Sequence, residues 1–135
     1  MVEALKLDLA AEVLTSCGQA RLPVTGSSML PALWPGDLLD VQRSAEIRPG
    51  DVVVYQRHGR LVVHRVASRS GDQITTHGDR LKHPDLPVPA AEILGRVVGV
   101  ERRGRSVQPH RRPMLSWLLS RSEFCTRVAL RLHRA

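Results

Sequence analysis

Val52-Val53-Val54-Tyr55-Gln56-Arg57-His58-Gly59-Arg60-Leu61-Val62-Val63-His64-Arg65-Val66 is the stretch on which the fold turns. Two apolar, β-branched runs, Val52–Tyr55 and Leu61–Val66, flank a polar connection that carries glycine, which is the chemistry of a β-hairpin. His64 then falls on the second strand. Similar short runs recur at Leu38–Val41, Gln73–His77 and Ile93–Val100, bounded by Gly, Pro or Asp. Short strands separated by turn residues predict a β-rich domain over residues 21–103.

Helical spacing appears only at the two ends. Val2, Leu5, Leu9, Val13 and Leu14 share one helical face while Glu3, Lys6, Asp8 and Glu12 fall largely elsewhere, so residues 1–20 read as an amphipathic helix stopped by Gly18. Gly104 to Pro113 is polar, basic and proline-bounded, as a linker is. Beyond it Met114, Trp117, Leu118, Phe124, Cys125, Val128, Ala129 and Leu132 recur at helical spacing among arginines. Residues 104–135 are therefore a basic linker and an amphipathic helix, with a break expected near Ser120–Ser122. Its apolar side packs on the domain, docks a partner, or lies on an anionic lipid surface through residues 114–132.

A chain of 135 residues, 42% hydrophobic, suffices for one core and is short for two. Cys17 and Cys125 stand far apart and no Cys/His spacing suits zinc, so neither a disulfide framework nor a metal or other cofactor is indicated. A reducing, cytoplasmic setting is expected. No window approaches the roughly 18 apolar residues of a membrane-spanning helix, which makes any membrane attachment peripheral. The net charge of +7 is concentrated after Glu101 and favours an anionic partner at that end.

The chemistry centres on Val24-Thr25-Gly26-Ser27-Ser28-Met29-Leu30-Pro31-Ala32-Leu33-Trp34-Pro35-Gly36-Asp37. Gly26 permits an unusual turn, Pro31 restrains the chain after it, and Met29 and Leu33 are anchors for a core. A serine held there projects its hydroxyl while neighbouring main-chain N–H groups stay free for an oxyanion. By itself the cluster is no more than a Gly/Ser/Pro loop.

Gly26-Ser27-Ser28-Met29-Leu30-Pro31-Ala32-Leu33 followed by Gly36-Asp37 resembles the nucleophile box of the signal peptidase I family. Pro49-Gly50-Asp51-Val52-Val53-Val54-Tyr55 resembles the family's next Gly-Asp-Val-Val strand, Val63-His64-Arg65-Val66 its base-bearing strand, and His77-Gly78-Asp79 with Asp85 its Gly-Asp segment. The resemblance runs in order from Val24 to Val100 and implies a mainly β, signal-peptidase-like catalytic domain with flanking N- and C-terminal helices. It also implies a serine endopeptidase with Ser28 as nucleophile.

Most bacterial members place a lysine before Arg-Val, whereas the endoplasmic-reticulum and archaeal branch has histidine, as here at His64. The two lysines, Lys6 and Lys82, lie elsewhere. Neutral imidazole, with an ordinary pKa of about 6.5, accepts a serine proton near neutral pH. A carboxylate that fixes its tautomer is expected at Asp85, with Asp79, six residues earlier, as a second organising carboxylate, or with the roles exchanged. The family's usual Asn after Gly-Asp is Arg80 here. Some members carry a hydroxyl two residues before the nucleophile; this chain has Gly26, so the oxyanion site would rest on main-chain N–H groups of Gly26, Ser27 and Ser28. Asp37 and Asp51, in Pro-Gly-Asp turns, read as structural. His58, His83, His110 and His133 read as surface residues, and His77 stays unassigned.

The implied substrate is a peptide or precursor protein, a leader or signal-like segment. Two other readings stand beside it: a self-cleaving relative of the SOS repressor peptidases, which use Ser–Lys, and a non-catalytic basic module for anionic lipid or nucleic acid. Nucleic acid is disfavoured, because only four aromatic residues are present and they form no base-stacking platform.

Overall fold

The computed structural model describes the backbone of residues 2–134 and the side chains of residues 9–134. In chain order it contains α1 (Val2–Cys17), β1 (Gln19–Pro23), β2 (Leu38–Gln42), β3 (Val52–Arg57), β4 (Arg60–Ser70), β5 (Gln73–His77), β6 (Val88–Pro89), β7 (Ile93–Arg102), β8 (Arg105–Val107), α2 (Pro113–Arg121) and α3 (Glu123–Arg134). The strands form one antiparallel sheet in the order β1-β2-β7-β3-β4-β5-β6, with β8 against β7. The fold is thus the β-rich domain with terminal helices that the sequence predicts.

The hairpin is tighter than its polar connection suggests. His58 and Gly59, with φ of 53° and 72°, close it in two residues and pair Arg57 with Arg60. Positive φ at both turn positions matches the twist of the strands, and glycine takes it without a Cβ clash. β3 lies between β4 and β7 and is buried on both faces, which is why Val52–Tyr55 reads as a continuous apolar run rather than an alternating one. Val52 and Val54 enter a core with Leu14, Met29, Leu33, Leu39, Val41 and Val100. Val53 and Tyr55 enter a second core with Ile47, Val66, Ile74 and Val88.

Pairing between β4 and β5 begins only at Arg65–His77. Leu61 to His64 therefore pair with β3 on one side and with no strand on the other. That open edge ends at His64.

The ends of the chain depart from expectation in three places. Leu14 anchors α1 in the core, but Leu9 and Val13 are exposed, so the anticipated apolar face is split; Val2 and Leu5 lie outside the described side chains. The stretch read as a linker opens with β8, entered by a turn at Arg103 and Gly104, both of positive φ. Its arginine and serine are exposed, so an edge strand there carries no apolar alternation to be read. Finally β1, whose residues are half-buried at every second position, pairs with β2 and carries Pro23 at the sheet edge, where proline is tolerated. The predicted break between α2 and α3 falls at Ser122, whose backbone is extended. No helix among the described residues is long and apolar enough to cross a membrane.

Candidate active site

Ser28 sits in the loop between β1 and β2, and the loop is clamped at its base. Val24 N–H donates to Asp37 O and Gly36 N–H to Val24 O, each at 2.8 Å. The Asp37 carboxylate is 1% exposed and accepts from Arg102 Nε at 2.9 Å, from Arg102 Nη2 at 2.8 Å and from Trp34 N–H at 2.9 Å. A bidentate guanidinium fixes a carboxylate in orientation as well as position. Above this base Met29, Leu30 and Leu33 are buried, the Leu30–Pro31 peptide is cis, and Leu33 N–H closes one helical turn on Met29 O. Ser28 is left between exposed Gly26 and buried Met29.

β4 brings His64 to that serine. His64 Nε2 lies 3.0 Å from Ser28 Oγ, and Nδ1 lies 2.5 Å from Asp85 Oδ2. With Nδ1–H donating to the carboxylate, Nε2 is the acceptor for the serine hydroxyl. His64 is 8% exposed. Asp85 is held in turn: its N–H donates to Thr76 O at 2.8 Å, and Thr76 Oγ1 donates to Oδ2 at 2.7 Å. The Tyr55 hydroxyl lies 2.8 Å from Thr76 Oγ1 and 3.5 Å from the same Asp85 oxygen. Burial pushes the Tyr55 pKa up, against the hydrogen bond with Thr76, so the phenol stays a neutral donor.

Asp79 does not touch the histidine. Its side chain is 2% exposed and takes a bidentate contact from Arg65, Nε at 3.0 Å and Nη2 at 2.9 Å. Arg65 also donates to Gly50 O and Pro109 O, so it ties three segments together. The segment around Asp79 rests on the nucleophile: Asp79 N–H points to Met29 Sδ, Arg80 N–H donates to Ser28 O at 2.9 Å, and Arg80 Nε donates to Ser27 O at 3.1 Å. Gly78 permits this approach, because a Cβ there would stand 2.9 Å from Ser28 O and 2.8 Å from Leu81 Cδ1.

The main-chain N–H groups of Gly26, Ser27 and Ser28 donate to no protein acceptor among the described residues. Lys82 is exposed and makes no contact with Ser28. Asp51 accepts from Arg48 N–H within its turn, and His58, His83 and His110 are exposed. His133 departs from the surface reading, since its ring stacks on Trp34 at 4.6 Å. His77 bonds Leu81 O.

Thr76, Tyr55, Arg65 and Arg80 are the neighbours that sequence reasoning missed. A threonine or tyrosine in a strand is ordinary β composition, and only the register that pairs Arg65 with His77 shows that Thr76 faces Asp85.

A mainly antiparallel β-domain with a serine, a histidine and an aspartate in one hydrogen-bonded line defines a serine-peptidase-like protein. The Peptidase S24-like family model matches residues 4–98, and the chain belongs to that family. It is similar to the signal peptidase complex catalytic subunit SEC11 of Plasmodium falciparum (isolate 3D7), 37% identical over 70 residues that make up 50% of this chain and 38% of that protein. It is also similar to the LexA repressors of Frankia alni and Frankia casuarinae, 35% identical over 83 residues in each case, 61% of this chain and 32% of theirs. The chain thus spans only about a third of the length of the curated relatives it matches. The likeness to signal peptidases read from the motifs agrees with the first of these matches.

Proposed function

We propose that the chain is a serine endopeptidase that cleaves leader or signal-like peptides, with Ser28 as nucleophile, His64 as general base and Asp85 as the carboxylate that orients it. The observation that carries this reading is the line Ser28 Oγ–His64 Nε2, His64 Nδ1–Asp85 Oδ2 at 3.0 and 2.5 Å. Ser28 Oγ attacks the scissile carbonyl carbon while Nε2 takes its proton. The carbonyl oxygen, now an oxyanion, is met by main-chain N–H groups of the Gly26–Ser28 segment. The imidazolium then gives its proton to the departing amine, and a water activated by the same nitrogen hydrolyses the acyl ester. Asp79 contributes through Arg65 and the seating of the 78–80 segment on Ser28.

The open edge of β4 gives this chemistry an extended substrate. A peptide adding to Leu61–His64 as a further strand would run toward the catalytic pair, with main-chain hydrogen bonds supplying affinity irrespective of sequence. The group bonded to Ser28 is a histidine, which separates this reading from a Ser–Lys self-cleaving relative. Incubation with a mixture of leader-like peptides, followed by mass spectrometry, tests it. Discrete cleavage products with the native protein and none with Ser28→Ala are expected; identical products from both would refute it.

A peripheral membrane site is the second part of the reading. Phe124, Val128 and Leu132 project from α3 one turn apart and are exposed, at 76%, 40% and 70%, while Thr126 is buried against the protein. Arg127 and Arg131, also exposed, stand on the same helix, and Met114 and Leu118 of α2 are exposed as well. Apolar side chains flanked by arginine suit an anionic lipid interface.

A further inference from the structure

Gly78 and Asp79, whose segment rests on Ser28, also line a cavity of about 550 Å³ between α2 and the β4–β5 pair. Arg65, Lys82, Arg111 and Arg121 line it with one carboxylate, Asp79, which the bidentate contact with Arg65 already occupies. Lys82 and Arg111 have no hydrogen-bond partner among the described residues, and Arg121 lies 5.6 Å over the Trp117 ring. Three cations therefore face the cavity without an anion.

α2 meets the cavity through Pro113, Ser116, Trp117, Ser120 and Arg121. Its first residue is a proline, which has no N–H to offer, and the Ser116 hydroxyl is buried out of reach of solvent, so recognition there rests on the lysine and arginine side chains. Hydrogen bonds from such cations to a carboxylate are about twice as strong as those between neutral groups.

We propose that this cavity is an anion subsite for an acidic side chain, Asp or Glu, of the peptide being cleaved. The identity of the anion as a substrate carboxylate rests on the peptidase reading; the anion site itself does not. Gly78 and Asp79 form the wall shared with the nucleophile loop, so a chain whose scissile bond lies at Ser28 passes the cavity mouth within a few residues, at about 3.3 Å per extended residue. Carboxylate recognition there selects substrates by charge at a distance from the bond cut.

The test uses binding, so that it does not depend on turnover. A rhodamine-labelled leader-like peptide with a Glu-Glu pair, and the same peptide with Gln-Gln, are titrated against Ser28→Ala protein by fluorescence anisotropy, with the pair moved along the peptide in successive registers. The acidic peptide is expected to bind about tenfold tighter in at least one register. The preference should vanish in Lys82→Gln/Arg111→Gln and persist in Arg105→Gln/Arg134→Gln, which removes the same charge from outside the cavity. Equal affinity for the two peptides in every register overturns the proposal, as does a preference that either double variant reduces equally, which is the signature of net charge alone. Selective binding without any cleavage by the native protein would instead strike the peptidase reading and leave the anion site standing.

Discussion

Two donors, His64 Nδ1–H and the Thr76 hydroxyl, converge on Asp85 Oδ2, and the Tyr55 phenol backs them by donating to Thr76 Oγ1. A carboxylate held from the rear by buried hydroxyls cannot swing with the imidazole, so it fixes the ring plane and tautomer. Asp85→Asn should therefore lower kcat severely yet by less than loss of Ser28, as steady-state assays would show. Thr76→Val removes the nearer hydroxyl and leaves the Tyr55 phenol without its main acceptor, at a cost of about 1–3 kcal/mol in denaturant unfolding and a smaller fall in kcat. The raised Tyr55 pKa also has a sign. Stability from the neutral phenol is complete below the ordinary value of 10.0 and is lost as pH rises through the higher folded value. Melting temperatures of the native protein should drop in that alkaline range more steeply than those of Tyr55→Phe. On the acid side turnover should fail, since a protonated imidazole cannot take the serine proton.

Between elements, the site depends on clamps that are not themselves reactive. Asp79 with Arg65 and Asp37 with Arg102 are bidentate pairs, each with a buried carboxylate and a partly exposed guanidinium, that pin the segments on either side of Ser28. Without Asp79 the Arg65 guanidinium keeps Gly50 O and Pro109 O, so Asp79→Ala should lower unfolding free energy by about 1–3 kcal/mol, measured by urea denaturation. Gly78→Ala should leave the sheet intact and displace the loop, with a loss of turnover larger than its loss of stability. Ser28, His64 and the two aspartates are legible in the sequence because each lies in a short motif whose order repeats a family pattern. The clamps are less so: Arg65 and Arg102 look like surface charges until strand pairing sets Arg65 opposite His77 and Leu38 opposite Glu101, bringing each guanidinium to its aspartate. The tight turn at His58-Gly59 and the β8 edge strand were likewise hidden, because both are polar stretches whose structure comes from pairing rather than apolar pattern.

At the scale of the whole molecule, α2 and α3 connect the site to its surroundings. The sequence poses packing on the domain, membrane contact and partner docking as alternatives for this end of the chain, and α3 packs on the domain. His133 stacks on Trp34 beside the nucleophile loop, the Arg103 guanidinium donates to His133 O, and Arg80 reaches Glu123 at 3.7 Å. Its outer stripe at Phe124, Val128 and Leu132 remains uncovered. Vesicle sedimentation should show binding to anionic but not zwitterionic lipid, weakened by salt and lost in Phe124→Ser/Leu132→Ser, while cleavage of a short peptide is retained. Binding that survives those substitutions would assign the membrane contact elsewhere. The central claim is that Ser28 and His64 act on one proton transfer, and the most direct measurement is kcat/KM for one leader-like peptide with native protein, Ser28→Ala, His64→Ala and the double variant. The expected result is a loss of about 1000-fold or more in each single variant and no further loss in the double, because each substitution disables the same step. Losses that multiply in the double variant, or native turnover without Ser28, would contradict the account.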